Sequence, residues 1–289
     1  MRFGAHVSIA GGVFNAPQNG VQAGCDVVQI FTKNQRQWRT KELTSADVEK
    51  FKAEEERTGV KVVCVHASYL INLGGDDPHK LDQSRQNFTI EIERAEALGI
   101  PYLIVHPGSH VGQGEQQGIL TIVESLNEVL DKSADLRLKV LLEATAGQGS
   151  NLGHTFEQLA AIKNKIEATG RVGFCLDTCH IFAAGYELRD KEGYRQTMDQ
   201  LDQLLGAEHI GIIHANDSRF DLGSKRDRHA HIGEGELGLA AFANLINDPH
   251  FKEVPFIIET PGGPEKDNEN LAKLRSLVDQ GTGRNQGGA

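Results

Sequence analysis

Short apolar runs recur along the chain, separated by longer stretches of mixed polarity. They are Phe3 to Val7, Val27 to Phe31, Val62 to Val65, Tyr102 to Val105, Val140 to Leu142, Val172 to Leu176, Ile210 to Ile213 and Phe256 to Ile258. Each is continuous and rich in β-branched residues, the pattern of parallel strands buried on both faces. Between them, apolar residues recurring at helical spacing predict helices over Ala46 to Arg57, Gln83 to Leu98, Ile119 to Leu130, Phe156 to Ala168, Tyr194 to Leu205, Leu239 to Ile246 and Asn270 to Val278. Gly99 followed by Pro101 is a helix stop. The gap from Val13 to Ala23, with Pro17 and Gly20, carries the weakest helical pattern. Eight β-α units without a linker predict a single-domain (β/α)8 TIM barrel over residues 1–280. The Gly-rich tail, 281–289, is expected to be disordered.

The chemistry lies at the ends of these runs. Six of the eight end in a residue able to bind metal: His66, His106, Glu143, Asp177, His214 and Glu259. A lone histidine at a strand end is ordinarily a cap or a core residue. Six such residues together are different, because all strand C-termini of a barrel converge on one mouth. Carboxylates crowded there without a cation would suffer desolvation and mutual repulsion. A divalent metal relieves both. Mixed imidazole and carboxylate donors favour Zn2+, with Mn2+ or Fe2+ able to substitute. His180 comes one helical turn after Asp177, and Asp227 and His229 lie in the long polar loop after His214. Nine candidate ligands exceed one tetrahedral site, so a cluster of two or three ions is expected. Paired metals suit phosphoester hydrolysis, since they ionise water, hold the phosphate and stabilise the leaving oxygen.

Composition narrows the class. The chain has 289 residues, 39% hydrophobic and 24% charged, as a soluble globular protein would. No apolar run reaches the ~18 residues of a membrane span, and Met1-Arg2-Phe3 leads straight into a strand pattern. No membrane partner and a cytoplasmic location are expected. Cys25, Cys64, Cys175 and Cys179 form no C-x-x-C pair and are expected to be free thiols. The net charge of −10 argues against a nucleic-acid partner unless bound cations offset it. Three zinc ions would bring it to about −4 and make the mouth favourable to phosphate.

Several segments together resemble endonuclease IV, the zinc-dependent apurinic/apyrimidinic endonuclease family of DNA repair. They are Lys33-Asn34-Gln35-Arg36-Gln37-Trp38, His66-Ala67-Ser68-Tyr69-Leu70-Ile71-Asn72-Leu73-Gly74, His106-Pro107-Gly108-Ser109-His110, Glu143-Ala144-Thr145-Ala146-Gly147-Gln148-Gly149, Asp177-Thr178-Cys179-His180 with Ala183-Ala184-Gly185-Tyr186, and Asn216-Asp217-Ser218 with Asp227-Arg228-His229 and Ile232-Gly233. The likeness runs in order from about Gly4 to Thr260. It implies three zinc ions. His66, His106 and Glu143 would hold the first; Glu143 would bridge to a second held by Asp177, His214 and Glu259; His180, Asp227 and His229 would hold the third. Glu143 and Glu259 are also the expected catalytic residues. The resemblance further implies hydrolysis of the phosphodiester 5′ to an abasic site by zinc-activated hydroxide, leaving a 3′-hydroxyl and a 5′-deoxyribose phosphate. Removal of 3′-blocking fragments would be a second activity, and repair would take place at the nucleoid in a bacterium. Ala67 and Ala144 depart from some members, which have Asp and Asn there; neither is a ligand position. His231, His110 and His154 match no ligand position.

The rim loops read the same way. Arg36 lies in a basic loop with Trp38, the only Trp, and Tyr69 and Leu70 offer an apolar tip after His66. A basic loop beside an apolar wedge suits a protein that enters the base stack and bends the duplex. Lys225, Arg226 and Arg228 are candidate phosphate contacts. The expected partner is double-stranded DNA with abasic sites or 3′-blocked ends, bound by a monomer. The competing reading is a metal-dependent sugar isomerase or epimerase on a TIM barrel. It needs one or two metals and leaves His180, Asp227, His229 and the rim loops without a role.

Overall fold

All eight apolar runs form parallel strands, and these close on themselves. A computed structural model describes residues 1–279; the tail expected to be disordered lies outside the described residues. The barrel strands are β1 (Phe3–His6), β2 (Val27–Ile30), β3 (Lys61–His66), β4 (Tyr102–Val105), β5 (Lys139–Glu143), β6 (Val172–Asp177), β7 (Ile210–His214) and β8 (Phe256–Ile258). Neighbours follow chain order, and β8 closes onto β1 with Phe3 opposite Phe256. On the other side of β1, Gly4 packs against β2, where a Cβ would stand 1.8 Å from Val27 O. Only glycine lets the strands approach that closely.

Side chains alternate between two cores. Val27, Val63, Cys64, Ile104, Leu141, Cys175, Ile212 and Ile257 fill the barrel interior. Val28, Val62, Val65, Leu103, Val140, Leu142 and Phe174 face outwards into the larger core under the helices. Two registers slip by one residue, between Val28 and Gln29 against β3 and between Phe174 and Cys175 against β7. Such bulges re-aim side chains near a barrel rim. Here the first places Gln29 opposite Cys64.

The helices are α1 (Ala16–Gln22), α2 (Ser45–Thr58), α3 (Pro78–Leu98), α4 (Glu115–Lys132), α5 (Phe156–Lys163), α6 (Thr178–Ala184), α7 (Lys191–Leu205), α8 (Gly238–Ile246) and α9 (Pro264–Ser276). The helices α3 and α7 begin earlier than apolar periodicity predicts, because side-chain caps and not packing set their first turns. Asp77 caps α3 through the amides of His79 and Lys80, with Pro78 in the first turn. Asp190 caps α7 in the same manner. No helix among the described residues is long and apolar enough to cross a membrane. Two short antiparallel pairs brace the mouth: Gly108–Ser109 with Asn151–Leu152, and Asp217–Ser218 with His229–Ala230.

Candidate metal centre

Each of the six strand-end residues reaches the barrel mouth. Glu143, Asp177 and His214 are fully buried, His66 is buried, and His106 and Glu259 are half-buried. Glu143 lies at the centre. Its Oε2 is 3.0 Å from His66 Nε2 and 3.2 Å from His106 Nε2. Its Oε1 is 3.2 Å from His214 Nδ1 and 3.2 Å from His180 Nδ1. One carboxylate thus faces two sets of imidazoles from its two oxygens.

The nine expected ligands fall into three groups able to hold a metal. They are His66, His106 and Glu143; then Glu143, Asp177, His214 and Glu259; then His180, Asp227 and His229. Within each group one donor atom per residue lies within 4.8 Å of the others. A fourth combination joins Asp177 and His229 with Cys179. Burial pushes the Cys179 thiol up to about 12, and its Sγ is already engaged, donating to Arg228 O at 3.6 Å.

Outer hydrogen bonds fix which imidazole nitrogen faces inwards. His66 Nδ1 donates to Ala67 O at 2.7 Å, leaving Nε2 for Glu143. His180 Nδ1 donates to Ala144 O at 3.0 Å, and His229 Nδ1 to Glu259 O at 3.2 Å. The inward nitrogens, His180 Nε2 and His229 Nε2, are buried and make no hydrogen bond. They stand 3.2 Å and 3.4 Å from Asp227 Oδ1, out of line for one. Two buried, unpartnered imidazole nitrogens converging on a carboxylate are what an ion requires, and they are costly otherwise. The donor set fits a divalent metal.

Electrostatics keep the carboxylates ionised. Burial pushes Glu143 up, but His106, His214 and His180 together hold it well below the usual carboxylate range. Glu259 is likewise pushed up by burial and held well below it by His214, His6 and His66. Burial opposes charge on His214 and His180, yet the surrounding acids raise both well above the ordinary imidazole value. Metal binding at such a site displaces those protons.

Three residues outside the expected ligand set join the site: Gln29, His6 and Asn216, the last from the Asn216-Asp217-Ser218 segment. Gln29 Nε2 donates to Glu259 Oε1 at 2.6 Å and contacts His6 Nδ1 at 2.9 Å. Asn216 Nδ2 donates to Asp177 Oδ2 at 2.7 Å, and its Oδ1 accepts from Glu259 N at 2.7 Å. His6 Nδ1 lies 3.4 Å from Glu259 Oε1. Asp217 serves the loop and not the metal groups: its carboxylate accepts from the amides of Ser218, Gly233, Gly235 and Leu237.

Of the expected DNA-contact residues, Tyr69 and Arg228 line the cleft over the metal groups, which encloses about 420 Å³, while Arg36 lines a separate pocket with His6 and Phe31. Tyr69 is 61% exposed, its ring 5.4 Å from that of His66 and 6.1 Å from that of His106. Leu70 beside it is half-buried, and Arg36, Lys225, Arg226 and Arg228 are exposed. Arg226 stacks its guanidinium 4.1 Å over the Phe220 ring. Lys33 of this basic loop is buried and turned inwards, donating to Asn87 Oδ1 at 3.0 Å. Trp38 packs part-way against the core.

A closed (β/α)8 barrel whose strand ends supply imidazoles and carboxylates defines a class of metal-handling barrels. The family model described as xylose isomerase-like TIM barrel matches residues 18–277. Similarity narrows this further. A probable endonuclease 4 of Chloroflexus aurantiacus is 48% identical over 279 residues, 96% of this chain and 98% of that protein. The crystal structure of endonuclease IV from Thermus thermophilus superposes with a TM-score of 0.84 at 36% identity, covering 96% of this chain and 98% of that one. The chain belongs to the endonuclease IV family. A D-tagatose 3-epimerase-like protein shares the fold at a TM-score of 0.74 and 20% identity, covering 96% and 98% of the two chains. That likeness extends to the barrel alone.

Proposed function

We propose that this protein is a DNA-repair endonuclease that hydrolyses the phosphodiester 5′ to an abasic site, leaving a 3′-hydroxyl and a 5′-deoxyribose phosphate. Trimming of 3′-blocked ends belongs to the same site. The observation that carries the reading is Glu143, whose two oxygens join separate donor groups at the mouth of a barrel of this family. Imidazole and carboxylate donors suit zinc, and three groups suit three ions. Bound zinc supplies Lewis acidity towards the phosphate and makes water acidic enough to ionise near neutral pH.

The chain's own residues do the rest. Glu143, Asp177, His214 and Glu259 form the floor on which the phosphate and the attacking water are placed. Glu259 Oε1 is taken up by Gln29, while Oε2 lies 3.5 Å from His214 Nδ1. Oε2 is thus the oxygen turned towards the group that would hold the second ion. Tyr69 and Leu70 form a wedge for the space where a base is missing. Kinking costs less there than in intact duplex, and that difference supplies the selectivity. Arg36, Lys225, Arg226 and Arg228 hold the backbone on either side. The reading is of a monomer with one site, working in the cytoplasm on nucleoid DNA. An epimerase would leave the group of His180, Asp227 and His229 without a task.

The deciding experiment is incision of a duplex carrying one abasic analogue by metal-replete protein. Cleavage on the 5′ side, with a 3′ end that a polymerase extends, is expected. An intact abasic strand, or cleavage on the 3′ side, would overturn the reading.

A further inference from the structure

Two rim loops leave the barrel separately, one after β2 with Arg36 and one after β3 with Tyr69 and Leu70, yet α3 holds both. Arg94 of α3 donates to Thr32 O at 2.6 Å and to Lys41 O at 3.0 Å, either side of Arg36. Glu91 Oε1 accepts from Ser68 N at 3.1 Å and Ser84 Oγ from Asn72 N at 3.2 Å, either side of Tyr69 and Leu70. Lys33 Nζ reaches 3.4 Å from that same Glu91 oxygen and donates to Asn87 Oδ1 at 3.0 Å. The loops also touch directly, where Ser68 Oγ donates to Gln35 O at 2.7 Å.

Glu91 is 1% exposed and Lys33 is 6% exposed. A buried ion pair is a poor source of stability, because desolvation cancels most of its attraction. It is a good source of geometry. A single oxygen of Glu91 takes an amide from one loop and faces the ammonium of the other. Two elements that must meet one lesion gain from being held at a fixed separation before binding.

We propose that Glu91 is a positioning residue for lesion recognition, coupling the Arg36 loop to the Tyr69–Leu70 loop so that they engage the duplex as one unit. This rests on reading both loops as DNA contacts. Glu91 belongs to none of the metal-holding groups. Its influence therefore falls on how the duplex is held and not on the hydrolytic step.

The test compares metal-replete wild type with Glu91→Gln and with the double variant Lys33→Met/Glu91→Gln. Glutamine keeps an acceptor for Ser68 N but breaks the ion pair. The double variant strands no buried charge, so it separates lost coupling from poor folding. Both should raise KM for an abasic duplex by about tenfold, with kcat, zinc content and hydrolysis of bis(p-nitrophenyl) phosphate within about twofold of wild type. That small diester does not reach the rim loops. A wild-type KM in the double variant would overturn the proposal. So would parallel loss of zinc and of small-diester hydrolysis, which would mean that Glu91 acts through the metal groups. A wild type binding abasic and intact duplex equally would instead sink the reading of the loops themselves.

Discussion

His214 donates from Nε2 to Gln29 Oε1 at 2.8 Å. The amide cannot turn the other way, because its Nε2 is taken by the Glu259 carboxylate, which only accepts. Gln29 therefore sets the tautomer of His214 and leaves Nδ1 facing Glu143 and Glu259. Replacing it with Ala should weaken metal binding by about 10- to 100-fold, the usual cost of removing an outer-shell partner. Chelator competition measures this directly. Unchanged affinity would show that His214 keeps its orientation without help.

Glu143 and Asp227 should separate when each is replaced by Ala. Glu143 belongs to two of the metal-holding groups and Asp227 to one, at the half-exposed edge. Glu143→Ala should lose more than one zinc and lower kcat/KM by about 1,000-fold or more. Asp227→Ala should lose about one zinc, with Tm within about 3 °C of wild type, because its loop lies outside the barrel core. Metal content by mass spectrometry settles both. Equal losses in the two variants would argue against a distinct third ion.

Incision should not need magnesium. Imidazole is an unsuitable ligand for that hard cation, and five of the nine donors are histidines. Activity should persist in a chelator that removes free magnesium and leaves bound zinc in place. An absolute requirement for added magnesium would point to a different mechanism.

Asp267 offers a pH test away from the site. Burial pushes its carboxyl up to about 6, against a hydrogen bond with Thr260 that lowers it. The folded form therefore holds this proton more tightly than the unfolded chain. Its stabilising contribution is full below the unfolded value near 4, declines between about 4 and 6, and is gone above that. Asp267→Asn should raise Tm at pH 8 relative to wild type and change it little at pH 4. Thermal melts at the two pH values test this, and an equal shift at both would exclude the proton linkage.

The strands were readable because each is a continuous buried run, and β3 to β8 end where the sequence pattern places them, to within one residue. Their terminal His, Asp and Glu residues then announced the metal groups. Helix starts were less visible, since Asp77 and Asp190 act through caps that leave no apolar period. The α6 helix had no outward face to reveal it: every residue from Thr178 to Ala183 is buried. Gln29 was hidden for the opposite reason. It is a lone amide within Val27-Val28-Gln29-Ile30, and its one signal was polarity where the strand is otherwise apolar. Lys33 looked like a surface charge because its partner, Glu91, comes from α3, far along the chain.

Closure of the barrel also sets when the enzyme can first act. Glu259 stands one residue beyond β8, the strand that seals against β1. A growing chain on the ribosome carries His66, His106 and Glu143 long before it carries Glu259. Until the last strand arrives, Gln29 has no carboxylate to hold and the floor of the cleft lacks one wall. A chain arranged this way completes the floor of its cleft only once β8 has joined β1.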